Sequence, residues 1–134
     1  HHSNAPRKER NRIYMINFEE FQKLYTYVEG KKLDPDQFAE SYKWKDWMCG
    51  QSIDEVGRIL RCTVDIANNG FQAIKKHFKN LKQIGDMFRI PYYTLVKWSC
   101  GEREPSEAWM ILMAYATVNF VDGQNIQEST CYFV

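Results

Sequence analysis

The sequence predicts an all-α protein, and three observations predict it. Capping signals recur along the chain: Asn17 ahead of Glu20, Asp34 ahead of Pro35, Ser52 ahead of Glu55, then Asn80 and Ser106. Each precedes a run whose apolar residues recur every three or four positions, the period of a helix with one buried face. Gly30, Gly50, Gly70 and Gly101 stand where those runs stop. With 44% apolar residues in a chain of 134, there is enough material for a real core, in one domain or two small ones.

Residues 1–15 read as a tag remnant, HHSNA, followed by a basic arm in which Arg7, Lys8, Arg10 and Arg12 oppose Glu9. Such an arm either lies along DNA phosphates or is simply a soluble terminus. Residues 16–70 form an N-terminal helical region. Asn17 caps its first helix, Glu20 completes a capping box, Ile16 and Phe21 form a hydrophobic staple, and Phe21, Leu24, Tyr25 and Val28 line one face. In the second, Asp34 caps, Pro35 takes the first helical position and Asp36 complements the dipole. Phe38 and Tyr42 lie one turn apart, and Trp44, Trp47 and Met48 carry apolar material to Gly50. The third helix starts at Ser52 with Val56, Ile59 and Leu60 as its stripe, and Asp65-Ile66-Ala67 adds a short turn before Asn69-Gly70. WMCG at 47–50 echoes WSCG at 98–101, either by coincidence or as a degenerate repeat.

Residues 71–117 are the informative part. Phe71 to Phe78 reads as a helix with Phe71, Ile74 and Phe78 inward and Lys75, Lys76 and Lys79 outward. Asn80 then caps Leu81 to Phe88, Ile90-Pro91 makes a sharp turn, and a second short helix runs from Pro91 to about Trp98 and stops near Gly101. Ile84, Phe88, Ile90, Leu95 and Trp98 can all point into the corner between the two helices, leaving Tyr92, Tyr93, Val96 and Lys97 on an outer face. A short exposed helix held out by a buried corner fits a DNA major groove. Ser106 caps a further helix, with Trp109, Leu112, Met113 and Ala116 available for packing. The tail, 118–134, has a turn signal at Asp122-Gly123 among β-prone residues. It is a short β segment, a strand exchanged between subunits, or an apolar tail laid over the N-terminal helices.

The stretch NLKQIGDMFRIPYYTLVKWSCGEREP resembles the helix-turn-helix of the Cro/C1-type (XRE-like) repressor family, over roughly residues 71–117. Ile90 takes the place of the family's turn aliphatic, Leu95 that of the inner aliphatic of the recognition helix, and Trp98, Gly101 and Pro105 match its Trp-Glu-x-Gly-x-x-x-Pro tail. Leu81, Gly85, Arg89 and Ser99 depart from the usual Gln, Ala, Gly and Glu. Leu81 lacks the phosphate-touching amide of that Gln, and Arg89 enters the left-handed region only at a cost. The resemblance implies a Cro/C1-like helical bundle and a sequence-specific duplex-DNA-binding transcriptional regulator, most simply a repressor acting by occupancy. It implies base reading by Tyr92, Tyr93, Val96 and Lys97. By their own chemistry, Lys75, Lys76, Lys79, Lys82, Arg89 and Arg103 either supply phosphate contacts or form a solvated face, Thr94 either bonds phosphate or packs half-buried, and Ile84, Phe88, Ile90, Leu95 and Trp98 form the structural core of the motif. Family members bind as dimers on paired half-sites, and here Cys131-Tyr132-Phe133-Val134 and the aromatic N-terminal region are the candidate dimer surfaces. The alternative is a protein-interaction module or inhibitor, phage- or antitoxin-like, that keeps the helices as a scaffold. A tyrosine-rich outer face suits protein contact as well.

Charge points to a local surface only. The net charge is +1, yet residues 71–105 carry +4 and the remainder about −3. The four cysteines, at 49, 62, 100 and 131, form no CxxC pair, and His77 is the only histidine outside the tag, so spacing predicts no metal site and no cofactor. There is no GxGxxG, P-loop or HExxH, and hence no enzyme signal. The absence of a signal peptide or long apolar run, together with unpaired cysteines, leads to the expectation of a cytoplasmic chain with no membrane partner.

Overall fold

The computed structural model describes residues 15–41 and 52–122. The basic arm, the aromatic stretch from Tyr42 through WMCG, the turn expected at Gly123 and the terminal apolar residues lie outside the described residues. Within them the chain is all-α, with seven α-helices followed by one π-helical turn.

Helix α1 spans Phe18–Val28, and the expected cap is made: Asn17 Oδ1 accepts the Glu20 N–H at 2.8 Å. The staple partners Ile16 and Phe21 are both buried. Helix α2, Pro35–Ser41, begins where Asp34 accepts the Gln37 N–H at 2.9 Å, and it buries Phe38 and Ala39. Helix α3 spans Ile53–Asn69, with Ser52 Oγ accepting from Glu55 N–H at 3.1 Å. It runs unbroken through Asp65–Ala67, where a separate turn was expected. The physical reason is that Thr63, Val64 and Ile66 prolong the buried face of Val56, Ile59 and Leu60, so the stripe continues at helical spacing. Gly70, at φ +64, ends it.

Helix α4 is short, Phe71–Lys75, followed by a turn at 76–77 and a bend at 78–80, so the helix expected to reach Phe78 stops early. Its backbone tightens at the end, with Lys76, His77 and Phe78 N–H groups bonding three residues back, the pattern of a 3₁₀ finish. Helix α5 is Leu81–Phe88, capped by Asn80 Oδ1 on Gln83 N–H at 2.9 Å. Arg89 lies in the left-handed region at φ 58, ψ 45. Helix α6 is Tyr92–Cys100; Pro91 holds the capping position just outside it rather than the first helical one, a one-residue shift. Helix α7, Glu107–Ala116, is capped by Ser106 Oγ on Trp109 N–H at 3.2 Å. Met113 and Ala114 form its buried side, whereas Trp109 and Leu112, expected to pack, are exposed. Thr117–Asp122 continues as a π-helical turn, so the first β-prone residues of the tail are wound rather than extended.

One apolar cluster joins these elements, from Ile16 through α3 to Val118. α3 is its axis: α1, α2, α4 and the π-turn all pack on it. The two ends of the described chain are tied together by buried Asn119, whose Oδ1 accepts the Ile16 N–H at 3.1 Å and whose Nδ2 donates to the Ile16 carbonyl at 3.0 Å. The described residues on the two sides of Gly70 therefore share a core. Among the described residues no helix is long and apolar enough to cross a membrane.

Candidate functional site

The corner between α5 and α6 is built from short-range sequence. Ile84, Ile90, Leu95 and Trp98 are buried in it, as their spacing predicts. Phe88 is half-buried instead, lying 6.3 Å edge-on to Phe78. Trp98 meets Phe71 at 5.5 Å, also edge-to-face, and Trp109 at 6.5 Å, so α4 and α7 both brace the same indole. Gly85 sits close under the turn and α6: a Cβ there would lie 3.0 Å from the Ile90 carbonyl oxygen and 3.2 Å from Leu95 Cδ1. A methyl group there would therefore press on the turn and on Leu95.

Against that buried side, α6 turns an outer face to solvent. Tyr92 and Tyr93 are 62% and 71% exposed, with Val96 and, from α5, Met87 exposed as well; Thr94 is half-buried. Lys97 is less available than its position suggests. Its Nζ lies 2.9 Å from Glu102 and 4.7 Å from the centre of the Tyr93 ring. Tyr93 and then Glu102 push its pKa above the ordinary lysine value, while Lys97 draws that of Glu102 down.

The remaining basic residues divide into two sets. Lys75 bonds Ser99 Oγ at 2.8 Å and Gln72 at 3.1 Å, Lys76 pairs with Asp65 at 3.0 Å, and Lys82 pairs with Asp86 at 3.1 Å. Lys79, Arg89 and Arg103 are exposed, and among the described residues their side chains have no hydrogen-bond or ion-pair partner.

A second group of residues was not legible in the spacing. A cleft of about 470 Å³ is lined by Pro35, Arg58, Arg61, Cys62, Asp65, His77 and Asp122. Cys62 Sγ lies 3.8 Å from His77 Nε2, and His77 Nδ1 lies 3.6 Å from Asp122 Oδ1. Arg58 holds the other carboxylate oxygen at 2.7 Å, the Val118 carbonyl at 2.9 Å and Glu55 at 3.2 Å. Burial, and then the Asp122 charge, push the Cys62 thiol well above the ordinary thiol range, so it carries its proton. The three residues come from α3, the turn after α4 and the π-turn. The sequence offers one weak signal for it: a histidine and a cysteine fifteen positions apart, with no pairing motif between them.

No protein-family model matches the chain, and neither a curated protein nor a solved structure matches it.

Proposed function

We propose that α5 and α6 are a Cro/C1-type helix-turn-helix and that the protein is a sequence-specific, double-stranded DNA-binding transcriptional regulator, a repressor acting by site occupancy rather than by chemistry. The observation that carries this reading is the two-sidedness of α6: Leu95 and Trp98 anchor it in the core while Tyr92 and Tyr93 stand out into solvent. In a major groove their hydroxyls would bond base edges or phosphates, and Val96 would meet a thymine methyl. Lys79, Arg89 and Arg103 would supply the first phosphate contacts, because no side chain among the described residues pairs with their charged groups. Lys75, Lys76 and Lys82 would each exchange an existing partner for a phosphate, and Lys97 would leave Glu102. A single such module buries about 600–1,000 Å² on DNA, so a homodimer on paired half-sites belongs to the proposal. Exposed Trp109, Leu112 and Phe120 give that dimer an apolar surface.

Selection from a pool of random duplexes tests this. Enrichment of one motif is expected. Tyr93→Ala should then cost about 1–3 kcal/mol on that motif and relax the choice at one base pair, whereas Lys79→Ala should weaken all sequences alike and lower the salt slope by about one unit. No enriched motif at low salt would end the reading.

One observation favours a second reading, a protein-docking module. The Lys97 charge is already satisfied by Glu102, and the surface that remains, Met87, Tyr92, Tyr93 and Val96, is more apolar than charged. Weak, salt-insensitive duplex binding together with a stoichiometric complex lost on Tyr92→Ala would select it.

A further inference from the structure

The cleft beside α3 contains chemistry that DNA reading does not use. A thiol, an imidazole and a carboxylate converge there from three separate segments, and their ligand atoms lie within 4.8 Å of one another. We propose that Cys62, His77 and Asp122 bind one divalent cation of the zinc class, with the remaining coordination position open to the cleft. This inference is independent of the DNA reading and stands or falls without it.

The donor set decides the metal. Sulfur and nitrogen donors with one carboxylate suit zinc and its d-block neighbours, whereas magnesium and calcium require shells made mainly of oxygen. The geometry is close to what such an ion needs. With bonds of about 2.0–2.3 Å in a tetrahedral site, neighbouring ligand atoms sit roughly 3.3–3.6 Å apart. The Cys62 Sγ to His77 Nε2 distance is 3.8 Å. Asp122 Oδ1 faces the other ring nitrogen, Nδ1, at 3.6 Å, so a single ion takes one imidazole nitrogen, and side-chain movement must close the remaining ligand-to-ligand gaps, which stay within 4.8 Å. The supports are in place. Cys62 is carried by α3, the axis of the core, and Asp122 is oriented by Arg58 at 2.7 Å, the outer-partner arrangement that steadies metal-binding carboxylates. On binding, the thiol releases its proton to solvent, and the thiolate and carboxylate balance the two charges of the ion. The bound ion would tie α3, the turn ahead of α5 and the C-terminal π-turn to one point.

The test uses the full chain with His1 and His2 replaced by alanine, so that tag imidazoles do not compete. Titration with Co²⁺ should give a thiolate-to-cobalt absorption band saturating at one ion per chain, Zn²⁺ should displace it, and Zn²⁺ should raise the melting temperature. Cys62→Ser should abolish the band, Asp122→Asn should weaken binding by about tenfold or more, and Cys100→Ser should leave it unchanged. Absence of the band at millimolar Co²⁺ overturns the proposal, as does a band that survives Cys62→Ser. Should Cys62→Ser fail to fold by circular dichroism, Asp122→Asn and His77→Gln decide: full affinity in both overturns it equally.

Discussion

The α5–α6 corner and the cleft beside α3 are assembled in opposite ways. Every residue of the corner comes from one stretch between Ile84 and Trp98, and local rules arrange it: a cap at Asn80, a turn at Ile90-Pro91, a stop at Gly101. The cleft joins Cys62, His77 and Asp122 from three elements, and only the packing of α4 and the π-turn on α3 brings them together. The corner is apolar inside and displays polar groups outward. The cleft turns polar groups inward and needs Arg58 to hold them. The corner's shape is encoded locally, although Phe71 and Trp109 brace it from outside; the cleft exists only once distant elements pack.

Trp98→Ala should produce the largest effect. It removes the indole braced by Phe71 and Trp109 and leaves a cavity, costing about 3–5 kcal/mol. Because the core is shared, thermal melts followed by far-ultraviolet circular dichroism should show one cooperative transition moved down as a whole. Loss of the α5–α6 signal alone, with the rest intact, would mean that the corner folds apart from the cleft.

Asn119→Ala probes the other side of the comparison. It leaves the buried N–H and carbonyl of Ile16 without partners and should cost about 1–3 kcal/mol in denaturant unfolding. Asn119 precedes Asp122 by three residues, so hydrogen exchange should quicken at both α1 and the π-turn while α5 and α6 keep their protection. Equal loosening of α6 would contradict the difference between the two regions.

Arg89→Gly should have the smallest effect and the opposite sign. Arg89 occupies the left-handed region, where a side chain costs about 1–2 kcal/mol, partly offset by the greater freedom of glycine in the unfolded chain. A gain of about 0.5–1 kcal/mol in chemical denaturation is expected. If Arg89 contacts phosphate, the same variant should bind duplex DNA more weakly although it is more stable. Stability and affinity rising together would remove Arg89 from the interface.

The amino-acid sequence by itself determined the helices and most of their limits. Asn17, Asp34, Ser52, Asn80 and Ser106 each cap the helix their position predicts, because capping is an interaction between a side chain and the backbone three residues on. The same locality made the corner readable: Ile84, Ile90, Leu95 and Trp98 lie close enough in sequence for periodicity to place them. Tertiary structure decided what periodicity cannot. It prolonged α3 through Asp65–Ala67, since the burial of Thr63, Val64 and Ile66 outweighs the turn tendency there. It exposed Trp109 and Leu112 while burying Met113 and Ala114, because the neighbours of α7 select its inner face. It joined Asn119 to Ile16 across 103 positions. It also sorted the basic residues, giving Lys76 to Asp65 and Lys97 to Glu102 while leaving Lys79, Arg89 and Arg103 at the surface. Lys76 and Asp65, like Cys62, His77 and Asp122, belong to different elements, and no local rule relates residues whose distance is set only when the helices pack.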